Sequence, residues 1–282
     1  MADHFPKGSV IRRVNLEPAL LFGAGRALML QLAHPAVAQG VEDHSDFKAN
    51  PFKRLLGTLE SVSAVVFGSQ ELAEGVGRRI HWVHEFVVGP TYRANVPENL
   101  LWVHATLLDT ALRCYTSLVG ELSPADAETY YQEMKRVAEI FGVAPEDQPA
   151  TLADFDRYFE EMVAALEVID VARDLAGFIV RPTLPLGLHV PLAPLLALQR
   201  LFTIGTTPPA IREQLGLPWD DAAERRLERA QGVVRTVFRI TPRPVRVGGN
   251  LALNQVLLWR AGRHVRQFDE KQHARAARPT AA

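Results

Sequence analysis

The amino-acid sequence predicts an all-α protein built as a single helical domain, and three observations carry that expectation. Apolar residues recur at three- and four-residue spacing through segment after segment, the period of one buried helix face. No stretch alternates with a period of two, and no Asn-Gly or Asp-Gly pair marks a hairpin turn. Ser123-Pro-Ala-Asp126 and Thr151-Leu-Ala-Asp154 both have the form of a helix N-cap, the first with proline at the favoured opening position.

The elements follow in order. Leu16 to Val41 is strongly apolar, but Arg26, Gln31 and His34 interrupt it and Pro35 breaks it. A membrane span wants about 20 apolar residues with few charges, so this segment is expected to be a buried core helix. Phe52, Leu55, Leu56, Leu59, Val62 and Val66 predict a helix over 51–67, with Pro51 in its first turn and Gly68 as its stop. Leu72, Val76, Ile80, Val83 and Val87 predict another over 70–88, and a third is expected over 97–119. The two capped segments are expected to run to about Phe141 and Gly177. Leu175 to Ile204 is apolar but cut by Pro182, Pro185, Pro191 and Pro194, which suits core, a tunnel wall or a surface touching lipid. Asp220 to Phe238 and Ala252 to Phe268 are two further helices, and a disordered tail is expected after about residue 269.

Composition narrows the function classes. Of the 282 residues 48% are hydrophobic and 22% charged, ordinary values for a globular protein. A formal net charge of -1 creates no field that would gather nucleic acid, so no nucleic-acid partner is expected. Cys114 stands alone, which excludes an internal disulfide and a cysteine-rich metal site. The polar start Met-Ala-Asp-His-Phe resembles no signal peptide, so a reducing cytoplasm is the expected compartment. No spanning segment is expected, and peripheral membrane contact is left open. Oligomeric state is not legible.

Several polar residues stand against apolar stripes. Arg54 and Thr58 lie one turn apart on a face away from Leu55, Leu59 and Val62, which is either a solvated face or one side of a covered pocket. His84 borders the stripe of Ile80, Val83 and Val87, and His81 falls outside it. His104, among Leu100, Leu101, Leu107 and Leu108, is expected to be the most buried imidazole. Arg26 in an apolar helix needs a partner, with Asp109, Glu42 or a haem propionate as candidates. His34 and His44 match no zinc signature such as HExxH, and no GxGxxG, P-loop or GxSxG is present.

Taken together, Gln31-Leu-Ala-His-Pro-Ala-Val-Ala-Gln-Gly-Val-Glu-Asp-His-Ser45, Pro51-Phe-Lys-Arg54 with Thr58, His84 with Gly89, and Trp102-Val-His104-Ala-Thr106 resemble the DUF2236 family. That family includes the rubber oxygenase (latex clearing protein) catalytic domain and the MpaB-type oxygenases. The resemblance covers most of the chain and is strongest over residues 20–110. It implies one oxygenase-like catalytic domain over 1–282, with a globin-like helical core holding a b-type haem. The family's proximal iron ligand falls on His84, and its arginine and threonine near the haem fall on Arg54 and Thr58. Arg26, His34, His44 and His104 complete the expected cofactor pocket, with Arg54, Thr58 and His104 as the expected catalytic groups. The implied partners are dioxygen and a small apolar substrate. One departure is specific: the family's pocket lysine corresponds to Gly57, which with the missing signal disfavours polyisoprene. Two other readings stand beside this one, a haem-binding or gas-sensing protein without turnover, and a cofactor-free enzyme using His104, Asp109 and Arg54.

Overall fold

A computed structural model describes residues 3–48, 51–182 and 186–276. Among them every extended element is helical, apart from two isolated bridges. The helices are α1 (Val10–Asn15), α2 (Ala24–Ala33), α3 (Pro35–His44), α4 (Pro51–Phe67), α5 (Gln70–His84), α6 (Pro97–Leu118) and α7 (Pro124–Ile140). Then come α8 (Leu152–Ala165), α9 (Asp170–Val180), α10 (Leu186–Thr206), α11 (Pro209–Gln214), α12 (Asp221–Ile240) and α13 (Arg243–Ala276). No described helix is long and apolar enough to cross a membrane.

The expected caps are where the sequence put them. Ser123 accepts from the Asp126 backbone, and Thr151 with Asp154 forms a reciprocal capping box. Other boundaries moved, each for a local reason. Leu16–Val41 is not one helix: a 3-10 turn over Pro18–Gly23 leads into α2, and α3 begins at Pro35. His34 precedes that proline and is extended at ψ 122°, because the pyrrolidine ring crowds the helical region for its neighbour. The helix expected from Thr151 to Gly177 breaks between α8 and α9, where Gln214 replaces the lost helical bonds. Its amide donates to Leu166 O at 3.0 Å and accepts from Val168 N at 2.9 Å.

Pro191 and Pro194 do not cut the 175–204 segment; α10 runs through both. The two prolines lie on the exposed side, where water can serve the carbonyls they leave unpaired. Pro185, expected to interrupt the same segment, lies outside the described residues. Helix α5 ends at His84 rather than 88, and α13 is twice the expected length. It continues past Asp269, where a disordered tail was expected, to Ala276.

Helices α2 and α6 form the centre. Most of α2 is buried, and α10, α9 and α6 all pack on it. Gly25 makes the α10 crossing possible, since a Cβ there would lie 1.9 Å from Thr203 Oγ1. Trp102 of α6 is fully buried, stacks on Phe159 at 5.5 Å and donates its indole N–H to Leu30 O at 3.0 Å. On the other side α4 and α5 pack together, and α13 lies across both. Two buried carboxylates anchor that last helix: Glu17 accepts from Arg243 and Arg246, and Glu60 from Arg260 and His264.

Candidate functional site

Between α2, α4, α6, α7 and α13 lies a mainly apolar cavity of about 140 Å³. Ala27, Leu28, Leu55, Leu59, Val62, Leu107 and Leu257 supply much of its wall. Polar side chains are set into that wall, among them Gln31, Thr58, His104, Asn250 and Asn254. An apolar wall with polar groups set into it is the lining of a small-molecule site, here in a small volume. Leu175–Ile204, the segment expected to supply the apolar wall, contributes none of it; Leu198, Leu201 and Ile204 instead border a groove between α10 and α12.

The polar set is unusual for what it leaves unsatisfied. Both ring nitrogens of His104 are buried without a well-formed hydrogen bond among the described residues, although the Met134 backbone lies near enough to act on the ring. Burial pushes its pKa down to about 4, so the ring is neutral at pH 7. Thr58 donates its hydroxyl to Arg54 O at 3.1 Å, which leaves the oxygen's lone pairs for a further contact. Arg54 is half-buried, and desolvation lowers its pKa. Its hydrogen bond, to Gln31 Oε1, is long at 3.4 Å, and it makes no ion pair among the described residues. Gln31 also reaches Thr106 Oγ1 at 3.3 Å and so ties the guanidinium to α6.

His84 is the last residue of α5, half-buried and outside the cavity lining. Its Nδ1 is buried without a partner, as is Asn95 Oδ1. Burial lowers its pKa first, the nearby Arg54 charge next, and Asn95 opposes them. Arg54 and His84 are therefore close enough to sense each other. His81 is 59% exposed and faces Glu85, on the far side of the helix as its spacing predicts.

The remaining expected residues separate. Arg26 is 1% exposed, and each of its nitrogens already has a protein partner: Asp109 at 2.5 Å, Thr110 Oγ1 at 2.6 Å and Thr206 O at 2.8 Å. It is a structural ion pair rather than a propionate anchor. Asp109 is further held by Arg113, so the carboxylate that a cofactor-free mechanism would use is taken. His34 sits at the α2–α3 joint with Nδ1 buried and unpartnered, its pKa lowered by burial. His44 is exposed, contacts Val88 O at 3.2 Å and meets the Tyr92 ring edge-on, away from the cavity.

Sequence reasoning missed the wall that α13 provides. Asn250, Leu253, Asn254 and Leu257 all line the cavity, and Asn250 donates to Leu16 O at 2.9 Å. Two asparagines one turn apart on an otherwise apolar face were the available signal.

No three His, Cys, Asp or Glu side chains gather to hold a metal ion among the described residues. Iron bound here by one imidazole would need a macrocycle to complete its coordination. The donor set fits a haem in that respect: unpartnered buried imidazole nitrogens, and a desolvated arginine lacking a carboxylate. A family described as the ER-bound oxygenase mpaB/B' and rubber oxygenase catalytic domain matches residues 11–236. An uncharacterised protein of Mycobacterium bovis and one of Mycobacterium tuberculosis are each 27% identical over 226 residues, covering 76% of this chain and 87% of the relative. No solved structure matches.

Proposed function

The chain belongs to the MpaB and rubber oxygenase catalytic-domain family, and on that premise we propose a b-type haem oxygenase that oxidises a small apolar molecule with dioxygen. The observation that carries the reading is the set of unsatisfied groups: Arg54 without a carboxylate, and His84 and His104 with buried unpartnered nitrogens, beside an apolar cavity. Buried polar groups in folded proteins are paired, so Arg54 and the nearby His84, each left incomplete, mark where an absent ligand would belong.

Haem, when bound, supplies the iron at which dioxygen is activated. His84 would hold its iron through Nε2. Asn95, whose carbonyl oxygen is buried and unpartnered, would accept from Nδ1–H and hold the ring in the required tautomer. Arg54 would pair with a propionate, a carboxylate that removes the cost of burying its charge. Gln31, already bonded to Arg54, would fix its direction. Thr58 and His104 line the cavity that the substrate would fill. Since His104 is neutral at pH 7, it can donate or accept one hydrogen bond without bringing charge into an apolar pocket.

Gly57 separates the chain from the rubber-cleaving pattern. Nothing lies within 4 Å of a Cβ at that position, so packing does not force the glycine. A smaller unsaturated compound is the proposed substrate rather than polyisoprene. The test is a visible absorption spectrum of freshly purified protein with haem counted per chain. A Soret band at close to one haem per chain is expected, and protein that stays colourless after haem titration overturns the reading. Oxygen uptake with terpenoids, unsaturated fatty acids and aromatics then separates turnover from binding alone.

A further inference from the structure

We infer that the outer face of α12 and α13 docks on an anionic lipid surface. Residues 229–268 contain eight arginines and no Asp, Glu or Lys, in a chain whose net charge is -1. The rest of the molecule is therefore acidic, and the positive charge is concentrated in two consecutive helices. The same segment holds seven of the thirteen large apolar side chains exposed among the described residues.

Charge and apolar surface are ordered with respect to each other. On α12, Arg229, Val233, Val237 and Ile240 follow at three- and four-residue spacing, all exposed. On α13, Val245, Val256, Trp259, Arg263 and Arg266 share one stripe, also exposed. The stripes meet at the Thr241–Pro242 corner, where Ile240 and Val245 are each 70% exposed. Along each helix, exposed apolar side chains are thus interleaved with arginines. Arg229, Arg239, Arg263 and Arg266 make no ion pair among the described residues, whereas Arg243, Arg246 and Arg260 are spent on buried glutamates. Arg263 stacks over the Trp259 ring at 5.5 Å, at the change from apolar to charged.

Aliphatic side chains with a tryptophan suit the boundary between headgroups and acyl chains, and guanidinium groups bind phosphate. The outer side of a helix is convex and offers no pocket for a protein's anchor residue, whereas a bilayer conforms to it. The inner side of α13 carries Leu253, Asn254 and Leu257 of the cavity wall. One helix then separates the lipid from the site.

Flotation of the full-length protein with vesicles of phosphatidylcholine, alone or mixed with phosphatidylglycerol, tests this at low and high salt. Preferential flotation with the anionic vesicles is expected. Arg263→Gln and Arg266→Gln should each lower partition by about fivefold at low salt. Trp259→Ser with Ile240→Ser should remove the binding that survives high salt. All four positions are exposed, so thermal unfolding of the variants should match the parent. Failure to float with anionic vesicles, or equal flotation with both kinds, overturns the inference. So does a dimer in solution that Trp259→Ser dissociates, which would make the face a contact between copies of this chain.

Discussion

Arg26 and Arg54 are two guanidinium groups whose pKa values burial pulls down, and they are treated in opposite ways. Around Arg26 the fold supplies a carboxylate, a hydroxyl and a carbonyl, all within 2.8 Å. Around Arg54 it supplies one amide oxygen at 3.4 Å. The same division runs through the histidines: Glu60 takes up His264, while His84 and His104 keep buried nitrogens unpaired. Desolvation alone does not mark a functional site. What distinguishes the two arginines is whether the chain itself completes the group's bonding, and around Arg54 it does not.

The largest effect expected from this contrast is on folding. Asp109→Ala should destabilise the protein by about 3–5 kcal/mol, because it strands a buried cation. Arg54→Met should stay within about 1 kcal/mol of the parent, since no ion pair is lost. Urea unfolding of the two cofactor-free variants makes the comparison. Equal losses would erase the distinction and return Arg54 to the scaffold.

Next in size is a pH effect. His104 has a folded-state pKa of about 4, below its ordinary value of 6.5, so the unfolded chain takes up the proton first. Stability should therefore be complete above pH about 6.5 and fall toward pH about 4, by up to about 3 kcal/mol. Burial shifts His34 and His84 in the same direction, adding to the slope. His104→Leu should flatten the curve in that window by about 1.4 kcal/mol per pH unit. An unchanged slope would mean that the ring is not held neutral.

Haem binding sharpens the contrast within one helix. His84→Ala should weaken haem affinity by roughly a hundredfold, about 2.7 kcal/mol, whereas His81→Ala should leave the Soret band intact. If His104→Ala removes the pigment and His84→Ala does not, the axial ligand belongs to α6. The smallest effect concerns Gly57. Open space around it lets Gly57→Ala gain up to about 1 kcal/mol in melting experiments, from helix propensity alone.

Local rules were legible in the sequence, and long-range ones were not. The spacing in 51–67 and 97–119, and the caps at Ser123 and Thr151, depend on neighbours within a turn or two, and they appear where expected. The break after Ala165 depends on Gln214, about fifty residues away, and no local pattern announces it. His104 was legible as the buried imidazole because its own helix surrounds it with leucines. Asp109 was legible as a candidate partner for Arg26, but not as the one chosen, because that choice rests on how α2 crosses α6. The wall formed by Asn250 to Leu257 was hidden for the same reason.

That wall gives the molecule a timetable. Glu17 receives its cations from 226 and 229 positions downstream, and Glu60 receives His264 from 204 downstream. Synthesis proceeds from the N-terminus, so the helices that present Gln31, Thr58 and His104 leave the ribosome long before α13 exists. Until then two glutamates stand uncompensated, and the chamber has a missing side. The chamber closes only when the late helix settles onto its two carboxylate latches.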